Sequence, residues 1–389
     1  MKLIRQVYTQ SGFSLVEVMV GLVIGMLGIM VIMQVFAVSE GQKRTTTSGG
    51  DAQANGIAAI AAIERDARQG GYGYTSFPGV PSNPLLGCKV RAYNQNATPT
   101  DINFRLYPVL IKDGGGSAPD SVTIIYSTSN GLSAPVSFDA KQNGSAAQYK
   151  VTSTLGVHYG DLVVAVESGL DCTLAEVTQP GTYVRGQPLN PANGELVHNP
   201  GTNGPFNPAS GSGVAYCQSG PPCNSYLVNL GLPVMRRYWV ATNNTIVPTY
   251  TFATSDLLFG APGATNTLSL AENIVNLQAQ YGVDNNGDNI IDLWTEPTGA
   301  VYGDDSVSTP TGTTIATIKA VRIAVIARSS LRERPNSSGT CDITTAYPVV
   351  FADGPSVTVD LSGDANWKCH RYQVYQTTIP LRNLIWSAS

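Results

Sequence analysis

Charge is what this chain has least of. Asp, Glu, Lys and Arg together make up 13% of its 389 residues, about half the ~25% usual for a soluble domain. A net charge of −4 and a pI near 5.4 exclude a strongly basic nucleic-acid coat, so nucleic acid is not an expected partner. Histidine is scarcer still: His158, His198 and His370 are far apart in sequence and do not read as a triad. Nor is there a G-x-S-x-G elbow, a Walker loop, an H-E-x-x-H zinc motif or a complete G-x-G-x-x-G, and no enzymatic reading has a starting point. What the chain does have is 42% hydrophobic residues, 40 Gly and 24 Pro. That composition excludes disorder driven by charge and indicates a packed, turn-rich β structure.

The apolar residues are unevenly placed. Phe13 to Phe36 is a run of 24 residues in which Glu17 is the only charge. As a helix it would extend about 36 Å, enough to cross a ~30 Å hydrocarbon core with some tilt. Met1 to Gly12 carries Lys2 and Arg5 and no acid, which favours a cytoplasmic start, although Lys43 and Arg44 follow on the far side. The run is too long for a cleaved secretory signal, and Phe36-Ala37-Val38-Ser39 is a poor peptidase site of the A-x-A kind. Glu17 argues against a plain anchor, because an acid in a membrane segment costs a few kcal/mol and persists where it has a partner or a task. If the chain were cut after Gly12, the new amine on Phe13 would lie one helical turn from that carboxylate.

Gly12-Phe13-Ser14-Leu15-Val16-Glu17, behind a short basic leader and ahead of the apolar run, resembles the class III signal of type IV pilins and pseudopilins. The resemblance implies that Gly12 is the cleavage residue for the prepilin peptidase. It also implies that Phe13 is the mature, N-methylated terminus, and that Glu17 serves subunit assembly. Within a bundle of apolar helices Glu17 would neutralise the Phe13 ammonium of a neighbour, a pairing that sets register because the unpaired alternative is costly.

Beyond the span, helical pattern continues from Ala37 to Thr47 and is expected to break at Ser48-Gly49-Gly50. It should restart with Asp51 as N-cap and carry Ile57, Ile60, Ala61, Glu64 and Ala67 on one face until Gly70-Gly71. Three features here, Ala54-Asn55-Gly56, Ile63-Glu64-Arg65-Asp66-Ala67-Arg68 and Gly70-Gly71-Tyr72-Gly73, are similar to the PilW family of minor pilins. So are Tyr281 to Asp288, Tyr375-Gln376-Thr377-Thr378 and Leu381-Arg382-Asn383. The implied fold is α+β and pilin-like: a long N-terminal transmembrane helix packed on a β-rich, disulfide-containing periplasmic domain with a large loop insertion. The implied function is that of a minor pilin priming or joining a type IV pilus near its tip. Its partners would be other minor and major pilins, the prepilin peptidase, the inner-membrane assembly machinery, and membrane lipid before assembly. The location would be the inner membrane, single-pass, and then the extracellular pilus. A pilus-displayed adhesin and a type II secretion pseudopilin are the alternatives.

The chain thus divides into a leader (1–12), a membrane half-helix (13–36), an outer half-helix (37–71) and a β-rich domain (72–389). Expected strands are Phe104–Ile111, Val122–Ser127, Leu162–Val166, Ser225–Leu230, Met235–Ala241, Ile274–Val283, Ile315–Arg328, Val357–Leu361 and Tyr372–Ile385. Val321, Ile323 and Val325 alternate with Arg322, Ala324 and Ile326, which predicts one wetter face. Lys319, Arg322, Arg328, Arg332 and Arg334 read as a solvated strand end rather than a DNA or sugar site. The Gly/Pro-rich stretch 178–223 reads as a surface insertion.

Six cysteines follow the span, and an even number in an exported domain favours disulfides over zinc, for which there is no C-x-x-C. Proximity favours Cys217 with Cys223 and then Cys341 with Cys369, leaving Cys88 with Cys172. Asp284, Asn286, Asp288 and Asp292 place oxygens at the start of an EF-hand-like spacing that would suit calcium. The loop departs from that motif at its glycine and lacks the final bidentate acid, and an Asn/Asp/Gly hairpin turn is the competing reading.

Overall fold

The computed structural model describes residues 12–76, 83–97, 100–129, 134–179, 183–189, 194–201, 204–243, 249–259, 267–303, 311–336 and 338–385. One helix, α1 (Leu15–Ala67), dominates the N-terminal part; its 53 residues correspond to about 80 Å at 1.5 Å per residue. It opens with a capping box. Ser14 Oγ accepts the Glu17 N–H at 3.2 Å, and the Glu17 carboxylate accepts the Ser14 N–H at 3.4 Å, so two otherwise orphaned donors are satisfied.

The expected break at Gly49-Gly50 is absent: α1 runs through it, and Asp51 is a mid-helix residue rather than a cap. Glycine costs a helix interior about 1 kcal/mol relative to Ala. Contacts from a distant loop offset that cost. Ser48, buried, accepts the Leu331 N–H at 3.1 Å, and the Asp51 carboxylate accepts the Ser330 hydroxyl at 3.2 Å. α1 ends where expected, before Gly70 and Gly71, the latter at φ +82°.

The outer half of α1 buries a stripe of Ser48, Ala52, Gly56, Ala59, Ile63 and Ala67, spaced three and four apart as one helix face requires. It rests on a four-stranded antiparallel sheet ordered Leu293–Thr295, Ile274–Val283, Ile318–Arg328, Tyr372–Pro380. A five-stranded sheet follows, ordered Leu268–Glu272, Thr249–Asp256, Val234–Asn243, Ser121–Tyr126, Val109–Lys112. The third, six-stranded sheet is centred on Cys172–Glu176, Leu162–Glu167 and Ser225–Gly231. A main core joins α1 to all three sheets.

The structure corrects several expected strands. Phe104–Ile111 is split into Phe104–Arg105 and Val109–Lys112. Ile315 belongs to a helical turn, Gly312–Thr317, before the strand begins at Ile318. Only Val357–Thr358 of the stretch to Leu361 pairs, and Tyr372–Ile385 closes at Pro380, ahead of a turn of helix at Arg382–Ile385. Lys89–Arg91, Cys172–Glu176, Thr249–Asp256 and Leu268–Glu272 are further strands, too short or too polar to announce themselves.

Ile318–Arg328 has no wet face. All its residues are buried, with Val321, Ile323 and Val325 in the main core and Ala324 and Ile326 beneath Val350, Phe351, Val359 and Leu361 on the other side. Residues of 178–223 likewise do more than decorate the surface. Leu189, Leu196, Val214, Tyr216 and Cys217 join Phe138, Tyr149 and Val163 in a second core over the outer face of the six-stranded sheet. Three disulfides, Cys88–Cys172, Cys217–Cys223 and Cys341–Cys369, stitch this domain, and no cysteine is free.

Asp120 couples the middle sheet to the C-terminal one, its two oxygens accepting the Gly114 and Ala279 N–H groups at 2.9 and 2.8 Å. Burial raises its carboxyl to about 7, beyond the downward pull of those two donors. The folded pKa exceeds the unfolded one, so the folded state holds an extra proton between the ordinary 3.8 and about 7, and stability falls as pH rises through that window. His198, pushed down to about 4 by burial, acts in the opposite sense below pH 6.5, so the informative comparison is between variant and wild type. The melting temperature of Asp120→Asn should change less than that of wild type between pH 5 and pH 8. Parallel curves would count against Asp120 as the source.

Candidate assembly surface

The functional surface starts with the helix half that the protein leaves bare. From Phe13, just ahead of α1, to Val38 the large apolar side chains are all more than half exposed, Phe13 at 84% and Phe36 at 73%. An apolar surface of this extent is not tolerated in water and needs lipid or other helices around it. α1 alone among the described helices is long and apolar enough to cross a membrane, with a mean hydropathy of 2.6 in its apolar window. Gly12 and Phe13 precede the first turn in exposed, non-helical chain, and Glu17 lies on the open surface of that turn. The expected leader residues 1–11 lie outside the described residues.

How this bare half is presented depends on how the other half is held. Gly56 touches the ring of Tyr375: a Cβ at that position would lie 2.3 Å from two of its carbons. Asp66, 1% exposed on α1, accepts from Arg236 Nη1 at 2.6 Å and from the Tyr238 hydroxyl at 2.7 Å, both on strand Val234–Asn243. Burial raises the Tyr238 phenol, and the hydrogen bond and charge of Asp66 raise it further, so it stays a donor. The turn after α1 is clasped from the other chain end. Asn383 Nδ2 donates to the Gly70 carbonyl at 3.0 Å, the Thr75 hydroxyl donates to the Asn383 carbonyl at 2.9 Å, and the Gly71 N–H donates to Ile125. Tyr281 completes the set, its hydroxyl accepting the Ile111 N–H at 2.7 Å. The patches singled out at Ala54–Gly73 and Tyr375–Asn383 are therefore one contact zone that locks the helix to the sheets, while Tyr281 joins the C-terminal sheet to the middle one through Ile111.

The other candidates are not sites of this kind. In the loop 284–292, Asp284 accepts the N–H groups of Asn286, Gly287 and Asn289, Asp292 accepts that of Asn285, and Asp288 that of Ile290. Burial works against the Asp284 carboxylate, but these donors and the Lys319 ammonium outweigh it and hold the group below its ordinary range. The loop has the hydrogen bonding of successive Asx turns, the competing reading of its Asn, Asp and Gly residues. Among the described residues, no three His, Cys, Asp or Glu stand in a metal-holding group. The expected solvated basic end is likewise taken apart. Arg322, 4% exposed, meets Gln280 at 2.7 Å and Asp353 at 3.0 Å between the rings of Trp294 and Phe351, and Arg328 pairs with Asp364 at 2.7 Å. Neither reaches an external anion. Asp66, Arg236 and Asn383 were not foreseen as a unit, although the similarity of their surroundings at both chain ends was visible.

A free apolar half-helix and a β-domain clamped to the other half make an α+β, pilin-like fold. Comparison with known families agrees: residues 8–33 match the prokaryotic N-terminal methylation motif, and residues 237–383 match the type IV pilus-assembly protein W family, PilW. The chain is thus PilW-like over its C-terminal part and pilin-like at its N-terminus, where α1 is long and apolar enough to anchor it in a membrane. No curated protein and no solved structure matches it.

Replacing Gly56 with Val should lower the stability of the detergent-solubilised chain by ~1–3 kcal/mol through overpacking on Tyr375. Gly49→Ala, which meets open space, should raise it by up to ~1 kcal/mol. Asp66→Asn should cost about 2–3 kcal/mol, below the ~3–5 of a fully buried pair because Arg236 keeps some water. Denaturant unfolding that fails to separate these three variants would overturn this account of the clamp.

Proposed function

We propose that this protein is a minor pilin that primes or joins a type IV pilus, and that its bare half-helix is the assembly surface. The observation that carries the reading is the division of α1 into an exposed apolar half and a half clamped by Asp66, Gly56 and Asn383. A clamped outer half lets a subunit be drawn out of the bilayer as a rigid body, exchanging lipid for neighbouring helices without refolding.

The prepilin peptidase cuts between Gly12 and Phe13, and Phe13 becomes the N-methylated terminus. The Glu17 carboxylate, which caps its own helix through Ser14, keeps an exposed oxygen for the terminal ammonium of an adjacent subunit. The β-domain faces the periplasm from the inner membrane and later the cell exterior, near the tip of the filament. Partners are other minor and major pilins and the inner-membrane assembly machinery.

Glu17→Ala should be processed normally yet be depleted at least severalfold from sheared pili, and normal pilus content would refute the role of Glu17. Deletion should abolish or strongly reduce piliation. Abundant pili that no longer adhere would identify an adhesin instead, and intact pili with lost protein secretion would identify a pseudopilin.

A further inference from the structure

Where α1 leaves its apolar stretch, a loop from the far end of the domain lies beside it and the two enclose an open groove of about 800 Å³. One end of the groove is apolar: Met33, Phe36 and Ala37 belong to the last turns of the membrane-spanning stretch. The other end is cationic, formed by Arg44 of α1 and by Arg332 and Arg334 of the loop. The groove extends from Met33 to Ser48, about 22 Å of helix rise. That is enough to reach from the outer hydrocarbon of a bilayer through the headgroup layer.

The loop is built to stay there. Thr45 donates to the Glu333 carboxylate at 3.0 Å, and Ser48 accepts the Leu331 N–H at 3.1 Å. Arg371 pairs with Glu333 at 3.1 Å, and the Cys341–Cys369 bond ties the loop to the domain. Glu333 also lines the groove, and its charge is shared with Arg371, which with Thr45 bonds its Oε1. Arg332 gives one N–H to Asn366 at 3.0 Å and keeps the rest of its guanidinium exposed. Arg44 and Arg334 are exposed and make no ion pair among the described residues. Glu40 and Glu333 are the carboxylates of the lining, against Arg44, Arg332 and Arg334, so the groove is net cationic.

We propose that this groove binds one anionic phospholipid of the surrounding bilayer, with its phosphate on Arg44, Arg332 and Arg334 and an acyl chain along Met33, Phe36 and Ala37. Guanidinium groups bind phosphate through paired N–H donors, and basic side chains just outside a membrane span gain from anionic lipid. A groove that is apolar at hydrocarbon depth and cationic above it matches an amphiphile in both charge and position. Such a lipid steadies the domain upright on the membrane. The inference needs only the membrane anchor and is independent of any role in the pilus.

The test uses the full chain purified from membranes in mild detergent, with native mass spectrometry after titration with phosphatidylglycerol or phosphatidylcholine. Wild type should retain one phosphatidylglycerol in preference to phosphatidylcholine, and inorganic phosphate should not displace it. Arg44→Gln with Arg334→Gln, at positions with no fold contact, should weaken that retention at least tenfold, and adding Arg332→Gln should weaken it further. Arg44→Lys with Arg334→Lys should retain most of it, and Lys112→Gln with Lys141→Gln, exposed elsewhere on the domain, should change nothing. Equal retention of both lipids, or equal retention by wild type and the Arg44/Arg334 variant, overturns the proposal. So does a cysteine at 334 that cross-links to another pilin in assembled filaments while phosphatidylglycerol retention is indifferent to the arginines, an outcome that assigns the groove to a neighbouring subunit.

Discussion

Everything in this molecule depends on holding one half of a helix so that the other half can stay bare. An apolar helix of this length in water would fold back on its own domain or aggregate. The bare half is left for lipid or other helices to cover, and folding back is blocked because the outer half is already committed to the sheets. Its narrow face of Ala52, Gly56, Ala59 and Ala67 approaches the sheets closely, and Asp66 is fixed among Arg236 and Tyr238. A buried carboxylate without those donors would be costly, so the ion pair acts as a register pin. It is satisfied at one position of the helix along the sheet and unsatisfied when the helix slides by a turn.

The scarcity of charge takes on a different meaning once the positions of the charges are known. Several of the few cations are inside, where Arg322 and Arg328 hold separate layers together through Asp353, Asp364 and aromatic faces. Each bridges the central strand of the C-terminal sheet to the segment that covers its second face. Much of the exterior is left to Gly, Ser, Thr and Asn. The cations that remain exposed near the membrane, Arg44, Arg332 and Arg334, are concentrated where the helix emerges.

Legibility in the sequence followed the range of the interactions involved. The membrane run, the strand Ile274–Val283 and the end of α1 at Gly70-Gly71 are written in local periodicity and in glycine's tolerance of positive φ. The break at Gly49-Gly50 was misread because local propensity argues for it, whereas Ser330 and Leu331, some 280 residues on, argue against it. The wet face of Ile318–Arg328 was misread for a related reason. Arginine in an alternating strand ordinarily marks solvent, and only the covering segment with Asp353 and Phe351 shows otherwise. In loop 284–292 the Asp284 carboxylate gathers three backbone N–H groups of its own loop, an arrangement that spacing along the chain does not announce.

By itself the sequence determined that the chain has a membrane-length apolar helix with one acid in its first turn, an N-terminal methylation motif around its start, and a β-rich domain with six cysteines. These are properties of contiguous residues, and hydrophobicity and periodicity report them directly. Only the tertiary structure decided that α1 is continuous, that Gly56 meets Tyr375, that Asn383 closes on Gly70, and that a loop near residue 332 stands beside the emerging helix. Each of those joins residues hundreds of positions apart, and their pairing is fixed by which surfaces can be buried together rather than by any pattern along the chain.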